Sequence, residues 1–144
     1  MCVSHGAMLA ARLLVPPAKV SLLLLNQQKI LVVEDEIIIA MDLADILRDA
    51  GAEVVGPALA VPEALRLIDS NEVSLAVLDV QLGTDNSKSV AHRLAAADIP
   101  YVFHTGNRTA ALLDGEWPRA PIVKKPVEPR ILIAALLAVA KNAS

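Results

Sequence analysis

Short apolar runs alternate with longer amphipathic stretches along this chain, and that rhythm predicts its elements. Residues 29–33 form an apolar run that ends in Glu34, Asp35 and Glu36. This reads as a buried strand with acids at its carboxyl end. Residues 36–49 carry an apolar stripe through Ile38, Met41 and Ile46, which predicts a helix; acids near its start suit the helix dipole, and Gly51 suits its end. A short second strand is expected over 53–55, broken by Gly56 and Pro57. Pro62 then opens a helix reaching about Ile68, where a missing N–H costs nothing. Residues 74–78 are unbroken apolar after Ser74, the pattern of a strand buried on both faces in a parallel sheet. They deliver Asp79 and then a loop with Gly83, Asp85 and Asn86. A helix over 87–97, a strand over 99–104, a short strand at Ile122 and Val123, and an apolar helix over 129–140 complete the pattern. Between the last two strands, residues 107–120 are irregular, and only 109–113 can be helical.

Strand and helix therefore alternate five times. The connections are long enough for crossovers, so the fold class expected is α/β, a doubly wound five-stranded parallel sheet with five helices. The chain has 144 residues, room for one domain of ordinary size. Its 55% hydrophobic and 2% aromatic shares imply an aliphatic core.

Residues 1–28 differ from the rest, with Arg12 and Lys19 as their only fixed charges, a Pro16–Pro17 pair and the Leu22–Leu25 run. They read as a poorly ordered N-terminal extension, with an anchor or a segment packed on the domain as the other readings; residues 1–27 are expected to be dispensable for folding, with the domain over 29–144. They fit neither a signal peptide nor a membrane span. A net charge of −3 offers no bulk attraction to nucleic acid or anionic membrane, and a single cysteine, Cys2, excludes an internal disulfide. No Cys/His cluster points to zinc, and His104 has no second histidine near it in sequence.

The predicted strand ends carry the chemistry. In open α/β sheets ligands bind beyond the carboxyl ends of the strands. Glu34 and Asp35 follow the first strand, Asp79 the third, Thr105 the fourth and Lys125 the fifth. Three carboxylates gathered at one edge repel unless a cation compensates, and hard oxygen donors suit Mg2+. A cation, a lysine and a hydroxyl around a carboxylate can stabilise a phosphoryl group on it.

With L-V-V-E-D-E at 31–36, V-L-D-V at 77–80, H-T-G at 104–106 and K-K-P at 124–126, the chain resembles the response-regulator receiver domain of two-component signalling over residues 29–142. The stretch P-Y-V-F-H-T-G-N at 100–107 resembles the F-A-T-G-Y variant common in alphaproteobacteria, departing from it at His104 and Asn107. The resemblance implies a flavodoxin-like fold with strand order 2-1-3-4-5. It makes Asp79 the phosphoacceptor, with Asp35, Asp79 and the Gln81 backbone carbonyl as direct Mg2+ ligands and Glu34 acting through water. Lys125 would contact the phosphoryl oxygens, Thr105 would be the switch hydroxyl, and the peptide bond before Pro126 would be cis. Gln81 and Asn107 would tune hydrolysis. The aromatic switch position falls on Ile122, and Tyr101 and Phe103 read as core residues.

The function implied is a single-domain response regulator, cytoplasmic and not an enzyme. It would receive its phosphoryl group from a sensor histidine kinase or phosphotransfer protein and signal to a downstream protein by contact. Two other readings stand beside it. One is a receiver-shaped adaptor that takes no phosphate. The other is a haloacid-dehalogenase-type phosphatase, disfavoured because Gln81 stands where that chemistry needs an acid.

Overall fold

The apolar runs become buried strands of one sheet. A computed structural model describes residues 22–106 and 115–143. In chain order its strands are β1 (Lys29–Val33), β2 (Glu53–Ala58), β3 (Leu75–Leu78), β4 (Gln81–Leu82), β5 (Asp85–Asn86), β6 (Tyr101–Thr105) and β7 (Ile122–Lys124). Its helices are α1 (Ile37–Asp49), α2 (Val61–Ser70), α3 (Lys88–Ala96) and α4 (Pro129–Ala143). The main sheet runs β2-β1-β3-β6-β7, every pair parallel. With the five main strands numbered in chain order, that is 2-1-3-4-5, as expected. The helix foreseen over 109–113 lies outside the described residues.

Each sheet face carries its own apolar layer. Leu31, Val33, Ala76, Leu78, Tyr101 and Phe103 point toward α2 and α3, meeting Ala64, Ile68, Val90 and Leu94. Ile30, Val32, Leu75, Val77, Val102 and Val123 point the other way, onto Leu43 and Leu47 of α1 and Leu132 and Leu136 of α4. The alternation follows from the two-residue period of a strand. All four side chains of β3 are fully buried because helices cover both faces of this central strand.

Two expectations are corrected. The second strand continues to Ala58 through Gly56 and Pro57. It is an edge strand with β1 as its single neighbour, so the missing N–H of Pro57 leaves no second ladder broken. A register irregularity between Leu31 and Val33 accommodates the bend. Gly56 makes this possible at φ +93°: a Cβ there would sit 2.7 Å from the Ala58 nitrogen. The loop after Asp79 is not plain loop, because β4 and β5 pair there as a small antiparallel hairpin.

The described residues before β1 form a packed turn. A 3-10 turn at Leu22–Leu25 precedes β1, and Leu25 is fully buried among Leu43, Leu47, Leu132 and Leu136. Its N–H donates to the Ala50 carbonyl at 2.9 Å, tying the turn to the end of α1. Leu25 thus packs a turn ahead of Lys29 against both α1 and α4. Residues 1–21 of the expected extension lie outside the described residues. No helix among the described residues is long and apolar enough to cross a membrane.

Candidate functional site

The strand register brings the acids together. Val33 pairs with Leu78, and Leu78 with Phe103. Carried one residue on, the same register places Glu34, Asp79 and His104 side by side on the sheet face covered by α1 and α4. The Asp79 N–H still donates to the Val33 carbonyl at 2.9 Å, so the strand geometry holds to that point. Asp35 follows Glu34 at the same edge. Glu34, Asp35 and Asp79 each offer an oxygen within 4.8 Å of the others. Glu34 is fully buried and Asp79 nearly so.

One lysine answers these charges. Lys125 Nζ donates to Asp79 Oδ2 at 2.9 Å and lies equally close, 2.9 Å, to Glu34 Oε1. The Glu34 contact is an ion pair whose geometry falls short of a hydrogen bond. Burial pushes the Glu34 carboxyl from 4.5 up to about 7, with Lys125 and the Glu36 N–H opposing and Asp79 adding to it. Burial pulls the Lys125 ammonium down, but the close contacts and charge of Glu34 and Asp79 outweigh it and raise its pKa. Lys125 is presented here because its N–H donates to the Thr105 carbonyl at 2.9 Å, continuing the β6–β7 ladder, and a cis peptide bond to Pro126 then turns the chain.

The remaining acids are held by main-chain donors. Glu34 Oε2 accepts from the Glu36 N–H at 3.1 Å, and Asp35 Oδ2 accepts from the Gly83 N–H at 2.8 Å. Three carboxylates facing one ammonium leave the edge with excess negative charge. That donor set, all oxygen and partly open at Asp35, fits a small hard dication. Glu34, Asp35 and Asp79 are the residues that could hold it, and Gln81 opens β4 at the same edge. Thr105 ends β6, 4% exposed, with open space around Gly106. All the expected site residues among those described therefore meet at the carboxyl edge; Asn107 lies outside the described residues.

Some participants were not foreseen in their roles. His104, read as a plain strand-end residue, is 1% exposed beside Asp79, and neither ring nitrogen has a partner among the described residues. Burial lowers its pKa from 6.5 to about 4, with Lys125 adding to the fall and Asp79 opposing it. Its position directly before Thr105 was the available signal. One N–H of the Gln81 amide donates to the Gly83 carbonyl at 2.9 Å. Tyr101 and Phe103 do lie in the core, and Trp117 joins them.

Comparison with known proteins agrees with this geometry. Residues 30–137 match the response regulator receiver domain family. The chain is 32% identical over 112 residues to the phyllosphere-induced regulator PhyR of Methylorubrum extorquens, covering 75% of this chain and 42% of that protein. It is 35% identical over 72 residues to the transcriptional regulatory protein PdtaR of Mycobacterium tuberculosis, covering 50% of this chain and 35% of that protein. The chain thus spans less than half the length of these curated relatives. Among solved structures it resembles SdrG of Sphingomonas melonis, with 37% identity, a TM-score of 0.67, and coverage of 79% of this chain and 96% of that one. With buried strands delivering the acids, Thr105 and Lys125 to one edge, and a family match over most of its length, the chain belongs to the response regulator receiver domain family.

Proposed function

We propose that Asp79 accepts a phosphoryl group from a phosphohistidine on a sensor histidine kinase or phosphotransfer protein, and that the phosphorylated domain signals by protein contact. The observation that carries this reading is the 2.9 Å bond from Lys125 to Asp79 inside a cluster of three carboxylates. An Asp79 oxygen attacks phosphorus; the P–N bond breaks; the imidazole leaves with the bonding pair, and an acyl phosphate forms. Lys125, already on the acceptor carboxylate, is placed to follow charge onto the phosphoryl oxygens. Asp35, Asp79 and the Gln81 carbonyl would hold Mg2+, with Glu34 acting through water, and the ion would offset the charge of the acids and the phosphoryl group. Thr105 supplies a hydroxyl at the same edge.

The surroundings suit a docking donor. Ile37, Ile38 and Met41 at the start of α1 and Ile131 at the start of α4 are all more than half exposed. They flank the strand ends that carry the acids, so an apolar helical partner can seat there while presenting its phosphohistidine to Asp79. The protein acts in this reading as a cytoplasmic phosphoacceptor rather than an enzyme.

The test is incubation with a small phosphodonor and Mg2+, followed by intact mass. A single adduct in the wild type and none in Asp79→Asn is the expected result. Continuous phosphate release points to a phosphatase, and no adduct at all to a phosphate-independent adaptor; either overturns the proposal.

A further inference from the structure

The hairpin after Asp79 reaches back to a candidate metal ligand. It has two residue pairs, Gln81 with Asn86 and Leu82 with Asp85, around a turn in which Gly83 sits at φ +63°. A ladder this short is marginal alone. Two contacts anchor it: Leu82 is buried in the apolar layer under α3, and the Gln81 amide donates to the Gly83 carbonyl at 2.9 Å. That second bond closes the turn across Gly83, whose own N–H, in the preceding peptide unit, donates to Asp35 Oδ2 at 2.8 Å.

Among the described residues this N–H is the one hydrogen-bond donor to the Asp35 carboxylate. Asp35 is not locked by burial as Glu34 is; it stands in the turn between β1 and α1, half-buried. A charge-assisted bond to one oxygen fixes the carboxylate plane and leaves the other oxygen for a cation. The connection therefore runs from the Gln81 side chain to the Gly83 carbonyl, through the φ and ψ of Gly83, and from the Gly83 N–H of the preceding peptide unit to Asp35.

We propose that the Gln81 side chain is a positioning residue for the cation site, acting through the Gly83 amide on Asp35. This rests on the reading of the acid cluster as a Mg2+ site. It gives the Gln81 side chain a task beside tuning hydrolysis, since one of its two amide N–H donors is held by the Gly83 carbonyl. The main-chain carbonyl of Gln81 is untouched by a side-chain substitution, so direct ligation and positioning can be separated.

The experiment titrates Mg2+ alone into the wild type, Gln81→Met and Gly83→Ala by calorimetry. It also follows exchange of the Gly83 amide by NMR without metal. Met keeps the length of Gln and cannot donate. Gly83→Ala meets no atom within 4 Å, yet strains the positive φ and tilts the amide. The expected result is a dissociation constant raised about 10-fold in Gln81→Met, the low end of outer-shell losses. Gly83 exchange should quicken in that variant. The double variant should lose less than the sum of the two, because both act on one bond. Wild-type Mg2+ affinity and wild-type Gly83 exchange in Gln81→Met overturn the positioning role alone. A wild type that binds no Mg2+ overturns the metal site itself and this role with it.

Discussion

Lys125 Nζ lies 2.9 Å from Asp79 Oδ2, and the same ammonium reaches Glu34, which has no exposed surface. One lysine thus compensates two acids that the sheet register forces together. Its side chain is 19% exposed, so water screens this pairing less than it would a surface bridge.

Lys125→Ala should leave Glu34 and Asp79 facing each other without a cation. Breaking a buried pair costs about 3 kcal/mol. Urea unfolding near pH 8 should show a loss of that order in the metal-free protein, with Mg2+ restoring part of it in the variant. A variant as stable as the wild type, and indifferent to Mg2+, would show that the acids are already relieved in some other way.

Leu25 should matter as much as a core leucine inside the helices. It is fully buried against α1 and α4, and leucine-to-alanine changes at such sites cost about 3–5 kcal/mol. Leu25→Ala should lower the urea midpoint accordingly, while Leu23→Ala, at a side chain 65% exposed, should leave it unchanged. Equal midpoints for wild type and Leu25→Ala would leave Lys29 as the start of the folded unit.

The contrast between Leu25 and the strands shows what the chain discloses by pattern. A run such as Leu75–Leu78 announces a central strand because burial on both faces removes every polar position. Acids, a hydroxyl and a lysine placed directly after such runs then mark one edge, so Glu34, Asp35, Asp79, Thr105 and Lys125 were legible as a group. Leu25 was not, since four consecutive leucines before a strand carry no period that separates a buried side chain from its exposed neighbours. The continuation of β2 through Gly56 and Pro57 was hidden because only an edge position tolerates that pair, and edge position is a property of strand order. His104 and the Gly83–Asp35 bond depend on cross-chain register, which no local stretch encodes.

His104 gives the stability a pH dependence whose sign can be worked out. Burial holds its ring neutral down to about pH 4, whereas the unfolded chain takes up the proton near 6.5. Between those values the unfolded state binds more protons, so stability falls as the pH drops from 6.5 to 4 and the loss levels off below. The span corresponds to about 3 kcal/mol at most. His104→Val removes this contribution, while the other acids keep their own. The variant should therefore gain on the wild type by about 2 kcal/mol between pH 7 and pH 4.5, read from urea unfolding at both. Parallel stability curves would mean the ring takes up its proton in the folded state.

The signal from Asp79 should be visible at Trp117. The chain has one tryptophan, one tyrosine and one phenylalanine, and all three form a single stack. Tyr101 meets Phe103 edge-on at 5.3 Å, and Phe103 meets Trp117 edge-on at 5.8 Å. Phe103 stands two residues before Thr105 on β6, so the two side chains leave the same face of the sheet. The Trp117 segment is pinned on its other side too. Glu116 pairs with Lys88 of α3, its carbonyl contacts His92 Nε2 at 3.0 Å, and the Tyr101 hydroxyl donates to the Pro118 carbonyl at 3.3 Å. Residues 107–114, the first part of the irregular segment 107–120, lie outside the described residues, but the end of that segment rests on the stack. A pull on Thr105 toward a phosphoryl group on Asp79 shifts the end of β6, and the aromatic contacts carry that shift to Trp117. Beryllofluoride with Mg2+ should therefore change Trp117 fluorescence in the wild type. The change should be lost in Thr105→Ala and reduced in Phe103→Leu, which keeps an apolar side chain but removes the ring contact. A response that survives Thr105→Ala would mean that Trp117 senses Asp79 by a route other than β6.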